Sequence, residues 1–149
     1  LYDTPCNLFV AGFIGSPQMN FLDAVCKVEG EKVTLQVGQA GIELPEAKAK
    51  KLIEGGYDGK TVVLGIRPED VHDEPAFIQA SPHTVIDAKI RVYEMLGAEV
   101  YLYFDYEGAS MTARVDPRTT ARTGDTVSFA FDAEKIHVFD KETEMVITN

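Results

Sequence analysis

Apolar and polar residues follow two different patterns along this chain, and the change falls near residue 19. Within residues 6–14 the apolar side chains recur every three or four positions, which is the spacing of one face of an α-helix. Thr4 and Pro5 supply an N-cap and a first-turn proline, and Pro17 lies just beyond the pattern, where a helix cannot continue. The pattern predicts a short N-terminal helix with a strongly apolar face.

From residue 19 onward apolar residues alternate with polar ones, the period of a β-strand with one buried face. Residues 22–28 and 33–37 alternate on either side of a Glu-Gly-Glu turn and predict a β-hairpin. A Pro-Glu pair and two glycines bracket a second short helix over residues 47–54. The other predicted strands are residues 42–44, 61–66, 87–92, 100–105, 111–115, 127–131, 136–139 and 145–147. The sequence therefore predicts a mainly β chain, a small barrel or sandwich of about ten short strands with one N-terminal and one internal short helix.

The length of 149 residues suits one domain or two very small ones. A weak internal similarity exists, because residues 28–31 and 106–109 both place a Glu-Gly turn between alternating strands. Two barrel-like halves, residues 18–83 and 84–149, would produce this similarity. Chance would also produce it, because Glu-Gly turns are common.

The charge of the chain is acidic and evenly spread. Fourteen Lys and Arg residues against 24 Asp and Glu residues give a formal net charge of −10, and both halves have the same balance. Without a basic arm or patch, duplex nucleic acid and anionic membranes are poor partners. No apolar run approaches the ~20 residues that cross a bilayer, and no charged-then-apolar leader opens the sequence. Because the chain starts at Leu1 without Met, we expect a piece of a longer protein.

The two cysteines, Cys6 and Cys26, have no metal-binding spacing and no nearby histidine. A disulfide between them is the alternative, but it needs an oxidising compartment for which the sequence carries no signal. We therefore expect two reduced, buried thiols in a cytoplasmic protein.

One segment has part of the pattern of a phosphate-binding loop. Residues 55–61 end in Gly-Lys-Thr, but Glu54 occupies the position of the required first glycine. A helix pattern precedes the segment and a strand pattern follows it, whereas a phosphate-binding loop leads from a strand into a helix. Asp58 would also place a negative charge beside the phosphates. The segment is therefore predicted to be a turn.

The histidines offer no convincing catalytic or metal-binding pattern. His72 precedes two acidic residues, but neighbours on an extended chain point in opposite directions, so we expect a solvated loop. His83 follows a proline in another loop, and His137 is expected to alternate out of a strand between two apolar residues. The sequence therefore predicts no catalytic residue, no cofactor site and no metal site.

Five phrases, taken in order, resemble a known family. They are residues 9–17 (FVAGFIGSP), 19–21 (MNF), 65–70 (GIRPED), 96–99 (LGAE) and 136–140 (IHVFD). Together they resemble the C-terminal regulatory region of ATP-binding subunits of sugar-importing ABC transporters, in the maltose, multiple-sugar and glycerol-phosphate importer group. The resemblance covers essentially the whole chain, with Cys6 and Gln18 as departures.

The resemblance implies a TOBE-type, OB-like barrel with a regulatory and dimerising role. In that family two such regions meet across a two-fold axis and hold the subunits together while separate nucleotide-binding domains bind and hydrolyse ATP. The implied partners are a second copy, the nucleotide-binding domain and permease subunits of the parent transporter, and in some relatives a regulatory protein. ATP and Mg would belong to the parent chain, and this piece would be neither an enzyme nor a nucleic-acid binder. Its implied place is the cytoplasmic face of the cell membrane, without insertion.

The resemblance also selects residues for a subunit interface or a structural motif. An alternative function is a module that senses a small oxyanion or sugar, with Arg67, Arg114 and Arg118 as contacts, although the net charge opposes anion capture. Gly97 is predicted to mark a bend or bulge at a barrel corner. The candidate residues are Phe9, Phe13, Ile14, Ser16, Pro17, Arg67, Pro68, Glu69, Asp70, Gly97, His137, Phe139 and Asp140.

Overall fold

The computed structural model describes residues 19–149, and in this range the chain forms eleven strands, two α-helices and two single-turn 3-10 helices. In chain order these are β1 (Asn20–Glu29), β2 (Lys32–Val37), β3 (Ala40–Glu43), α1 (Glu46–Glu54), β4 (Thr61–Ile66), a first 3-10 helix (Pro68–Asp70), β5 (Val71–His72), α2 (Pro75–Ala80), β6 (Val85–Leu96), β7 (Glu99–Tyr106), β8 (Ala109–Val115), β9 (Thr126–Phe131), a second 3-10 helix (Ala133–Lys135), β10 (His137–Asp140) and β11 (Val146–Thr148). The N-terminal helix predicted over residues 6–14 lies outside the described residues.

The strands form two antiparallel sheets. The first sheet has the order β11-β10-β4-β1-β2-β3, and the second has the order β5-β9-β6-β7-β8. The predicted hairpin is confirmed, because β1 and β2 pair with Val28 opposite Val33. Burial alternates along both strands, since one face of the hairpin is turned toward the core.

A side chain at the start of β1 joins the two sheets. Asn20 is only 5% exposed, and its Nδ2 donates to the carbonyl oxygen of Thr112 on β8 at 2.8 Å. The backbone N–H of Thr112 donates in return to Asn20 Oδ1, also at 2.8 Å. The amide therefore reproduces the two bonds that a neighbouring strand would make to this residue.

One apolar core includes side chains from both sheets. Phe104 and Phe129 stack within it with ring centroids 4.5 Å apart. A smaller cluster of Met19, Val63 and Phe139 lies on the other face of the first sheet. Because both faces of β4 and β10 are covered, successive residues of these strands are buried without alternation.

The prediction of a mainly β chain is confirmed, and so is the second helix, which begins at Glu46. Two differences have local causes. Helix α2 has six residues, too few to show an apolar period. Strand β6 continues to Leu96 rather than ending at residue 92, because a shift of register between Ile90 and Val92 moves the alternation by one residue.

Strands cross the predicted division between residues 18–83 and 84–149 in both directions. β10 pairs with β4, and β5 pairs with β9. Each sheet therefore contains strands from both parts of the chain, and the division into two halves stays a prediction.

Candidate functional site

The Arg67–Asp70 motif lies where the chain crosses from the first sheet to the second. Pro68 begins the first 3-10 helix, and the N–H of Asp70 closes it by donating to the carbonyl oxygen of Arg67 at 2.9 Å. Proline suits this position because it has no N–H that would need a partner. Arg67 and Pro68 are buried, whereas Glu69 and Asp70 are half-buried. The motif therefore fixes the direction in which β5 leaves the first sheet.

Asp70 lies beside two side chains that come from the second sheet. One ligand atom each from Asp70, His72 and Asp132 lie within 4.8 Å of one another. The pairing of β5 with β9 and a 2.9 Å bond from the N–H of Asp132 to the carbonyl oxygen of Asp70 set this spacing. Burial, helped by the nearby carboxylates of Glu69 and Asp132, raises the pKa of Asp70 to about 6. Two carboxylates and an imidazole thus occupy one small volume.

His72 is held from two sides. Its Nδ1 lies 3.1 Å from Glu74 Oε2, and its ring stacks on Phe77 of α2 with a centroid distance of 4.0 Å. The prediction of a solvated loop at His72 is wrong, because this residue lies on β5 and its side chain is only 25% exposed. The pairing partner of β5 is distant in the sequence, so a local pattern does not indicate this strand.

His137 and Phe139 lie on β10, next to β4. Phe139 is fully buried over Gly65, where an added Cβ would come 3.0 Å from the ring and 2.7 Å from Met19 Sδ. The expectation that His137 alternates out of its strand is wrong, because it is 5% exposed, with Nδ1 2.9 Å from Asn149 Oδ1. Alternation fails on β10 because both of its faces are covered.

Asp140 ends β10 and organises the turn that follows. Its carboxylate accepts hydrogen bonds from the N–H of Thr143 at 2.8 Å, the hydroxyl of Tyr57 at 2.7 Å and the N–H of Glu142 at 2.9 Å. These bonds, that of Thr143 foremost, hold the pKa of Asp140 below its usual range. Tyr57 belongs to the segment 55–61, which connects α1 to β4 as the predicted turn.

Gly97 lies in the turn between β6 and β7, where its φ of +60° favours glycine. The predicted bend is therefore the turn of a hairpin. Val92, Met95 and Leu96 beside it are 42%, 55% and 53% exposed. We call residues 92–98 the hairpin end, which lies at one extremity of the second sheet.

The three arginines considered as oxyanion contacts have different surroundings. Arg67 is buried, Arg114 lies 3.7 Å from Glu99, and Arg118 makes two bonds to the carboxylate of Asp116. Since Arg114 and Arg118 are each already paired with an acidic neighbour, the geometry does not favour capture of an oxyanion.

A cleft of about 960 Å³ lies between α2 and the loop that precedes β9. Four of its five charged lining residues are acidic, and they include Asp73, which accepts a 2.5 Å bond from the hydroxyl of Thr119. The charged lining residues are Asp73, Glu74, Asp116, Arg118 and Asp125. This lining is unsuited to an anion.

Cys26 is a free thiol with no exposed surface, as expected. Burial and, to a smaller extent, the nearby Asp58 raise its pKa to about 11. The remaining candidates lie outside the described residues: Cys6, Phe9, Phe13, Ile14, Ser16 and Pro17. Within residues 19–149 no helix has both the length and the apolar character needed to cross a membrane.

Sequence reasoning missed the roles of Asn20 and Asp132. Asn20 belongs to the MNF phrase, but its contact with Thr112 spans 92 positions. Asp132 follows β9 and approaches Asp70 only through strand pairing. Either role could be predicted only if the pairing of distant strands were already known.

Two antiparallel sheets around one core, with the candidate residues at strand ends and crossings, define a small β-barrel domain of OB type. The sequence model of the MalK OB fold domain matches residues 15–71, and that of the TOBE domain matches residues 64–139. The chain belongs to the TOBE domain family and carries a MalK-type OB fold in its first part.

Several curated proteins are similar to the chain over 99% of its length. The oligosaccharides import ATP-binding protein MsmX of Bacillus subtilis is 43% identical, and the match covers 39% of MsmX. The multiple sugar-binding transport ATP-binding protein MsmK of Streptococcus mutans is 38% identical, with 38% of its length covered. The trehalose/maltose import ATP-binding protein MalK of Thermococcus litoralis is 37% identical, with 39% covered. The chain therefore spans about two fifths of the length of these relatives.

Among solved structures, the cytoplasmic molybdate-binding protein ModG in a molybdate-bound crystal form is similar in fold. The TM-score is 0.60 at 14% sequence identity, and the match covers 80% of this chain and 94% of ModG. At this identity the similarity concerns the fold alone.

Proposed function

We propose that this chain is the regulatory part of the ATP-binding subunit of a carbohydrate ABC importer. The observation that carries the proposal is the match of 99% of the chain to about two fifths of relatives named for ATP binding and sugar import. In the proposed parent, the other part of the subunit binds and hydrolyses ATP with Mg. In this proposal the chain contributes no catalytic residue. It influences the ATP-driven transport cycle through contacts with protein partners.

The proposed role includes pairing of two copies, which holds two ATP-binding subunits together during the transport cycle. The hairpin end supports this proposal, because Val92 and Leu96 project from one face of β6 and are 42% and 53% exposed, while Met95 is 55% exposed on the opposite face. A chain with a net charge of −10 repels its own copy unless an apolar contact compensates.

The proposed location follows from the same role. The chain contacts the nucleotide-binding domain of its own subunit and, through that domain, the permease subunits at the cytoplasmic face of the membrane. A regulatory protein is a further proposed partner. The even acidity of the chain agrees with protein partners and not with nucleic acid.

A chimera tests the regulatory role. The region of MsmX that matches this chain is replaced by residues 1–149, and uptake of a radiolabelled oligosaccharide is measured in cells that lack MsmX. We expect uptake well above that of MsmX from which the region has been deleted. A chimera that accumulates normally, binds ATP and restores no uptake would contradict the proposal.

The alternative of a sensor for small ligands receives less support. Oxyanion binding is disfavoured because Arg114 and Arg118 are paired and the cleft is acidic. A neutral sugar is compatible with the cleft, and calorimetry with maltose and trehalose is the direct test. Heat that fits the binding of one maltose or trehalose molecule per chain would support the sensor function.

A further inference from the structure

The cluster formed by Asp70, His72 and Asp132 has the composition of a metal site. Its three ligand atoms come from the end of the first 3-10 helix, from β5 and from the residue after β9, and they lie within 4.8 Å of one another. Ligand atoms around Zn²⁺ at about 2.1 Å stand roughly 3.4 Å apart in a tetrahedral arrangement. Small side-chain rotations would therefore bring the three atoms onto one ion.

The backbone beneath the cluster is held independently of any ion. β5 pairs with β9 through Val71 and Phe131, and the N–H of Asp132 donates to the carbonyl oxygen of Asp70. Asp132 Oδ1 also accepts from the N–H of Glu134 at 3.2 Å, which caps the second 3-10 helix. The ligand-bearing segments are thus fixed relative to each other before an ion binds.

A second observation, outside the three ligands, points to a metal. Nδ1 of His72 faces Glu74 Oε2 at 3.1 Å, and the ring is stacked on Phe77. A carboxylate on one ring nitrogen is the arrangement that orients the imidazole of a metal-ligating histidine and strengthens its other nitrogen as a ligand. Glu74 also lines the acidic cleft, so solvent and ions reach the vicinity of the cluster.

The donor set selects the class of ion. Two carboxylate oxygens and one imidazole nitrogen suit Zn²⁺ and similar first-row divalent ions. Ca²⁺ takes roughly six to eight oxygen ligands, more than this cluster supplies. Three protein ligands leave at least one position on Zn²⁺ for water.

We propose that Asp70, His72 and Asp132 bind one divalent transition-metal ion of the Zn²⁺ class at the crossing between the two sheets. The ion joins the motif after β4 to the end of β9, at the point where the chain enters the second sheet. This function is separate from the proposed transport role, and neither depends on the other.

The test is calorimetric titration of the chain with ZnCl₂ after treatment with EDTA and dialysis. We expect one site with a Kd on the order of micromolar, because only three protein ligands are present. His72→Gln and Asp132→Asn should each weaken binding about tenfold or more. Asn at position 132 keeps an oxygen that accepts from the N–H of Glu134, so this variant is expected to fold.

His83→Gln is the matched control. His83 also has a carboxylate near its Nδ1, Glu43 Oε2 at 3.8 Å, but it belongs to no three-ligand cluster within residues 19–149. Binding should be unchanged in this variant. Two-dimensional amide NMR should show Zn²⁺-dependent shifts concentrated at residues 70–72 and 130–132.

Three results would overturn the proposal. The first is no heat from the folded chain, and the second is equal loss of binding in the His83→Gln and His72→Gln variants. The third is a set of NMR shifts centred away from β5 and the end of β9.

Discussion

At the residue scale, Asn20 shows how one amide can take the place of a strand neighbour. Both of its bonds to Thr112 are partly buried, and they link positions that are 92 residues apart. An alanine at position 20 would leave the N–H and the carbonyl oxygen of Thr112 without these partners. This side chain therefore adds a polar link between β1 and β8 to the apolar core that the two sheets share.

We predict that Asn20→Ala lowers the free energy of unfolding by about 1–3 kcal/mol, because two partly buried backbone groups of Thr112 lose their partners. Urea denaturation followed by circular dichroism measures this change. The matched control is Gln36→Ala, since the amide of Gln36 makes only one exposed bond, to the carbonyl oxygen of Gly38. Equal losses in the two variants would contradict the role assigned to Asn20.

We predict that Cys26 resists alkylation in the folded protein. Burial raises its pKa to about 11, so the thiol is both covered and protonated at pH 8, whereas the thiolate is the reactive form. Iodoacetamide treatment followed by peptide mass mapping should find Cys26 unmodified in buffer and modified in urea. Similar rates of modification in both conditions would contradict this account of its surroundings.

At the element scale, β10 lies against β4 through a close approach of side chain to backbone. Phe139 lies over Gly65, where even one added carbon would come 3.0 Å from its ring. This glycine is required for lack of space and not for its backbone conformation. The packing of the two strands therefore depends on the small size of residue 65.

We predict that Gly65→Ala costs about 1–3 kcal/mol of stability through overpacking. The same substitution in a Phe139→Leu background should cost less, because one of the two side chains that crowd the new carbon has become smaller, while Met19 Sδ at 2.7 Å stays in place. Denaturant unfolding of the four proteins of this double-mutant cycle measures the coupling. Equal costs in both backgrounds would exclude a direct contact between residues 65 and 139 as the cause.

The hairpin end provides a prediction about pairing. Leu96→Glu places a charge on the proposed contact and, because a two-fold interface contains the residue twice, should weaken self-association about tenfold or more. The control is Met145→Glu, since Met145 is 50% exposed and lies outside the hairpin end. Sedimentation velocity compares the two variants. Equal weakening of self-association by the two substitutions would show that the interface does not lie at the hairpin end.

The same elements show what the sequence can and cannot predict. Alternation located the strands with one covered face, such as β2, because burial there follows a period of two. It failed for His137, whose strand is covered on both faces, and for His72, whose strand has only two residues. The cluster of His72 with Asp132 was not predictable either, because it depends on the long-range pairing of β5 with β9.

At the scale of the whole molecule, exchange of strands makes the two sheets interdependent. β10 and β11 complete the first sheet from the end of the chain, and β5 extends the second sheet from its first part. We predict one cooperative unfolding transition, with circular dichroism and tyrosine fluorescence giving the same midpoint. Two separated transitions would instead indicate barrel-like halves that unfold independently.

We propose that this chain is the part of a transporter ATPase through which two subunits pair. The most direct measurement is the molar mass of the chain by light scattering across a wide concentration range. We expect a mass that rises from 16.4 kDa toward twice that value as concentration increases. A mass that stays at 16.4 kDa up to millimolar concentration would contradict pairing through this chain.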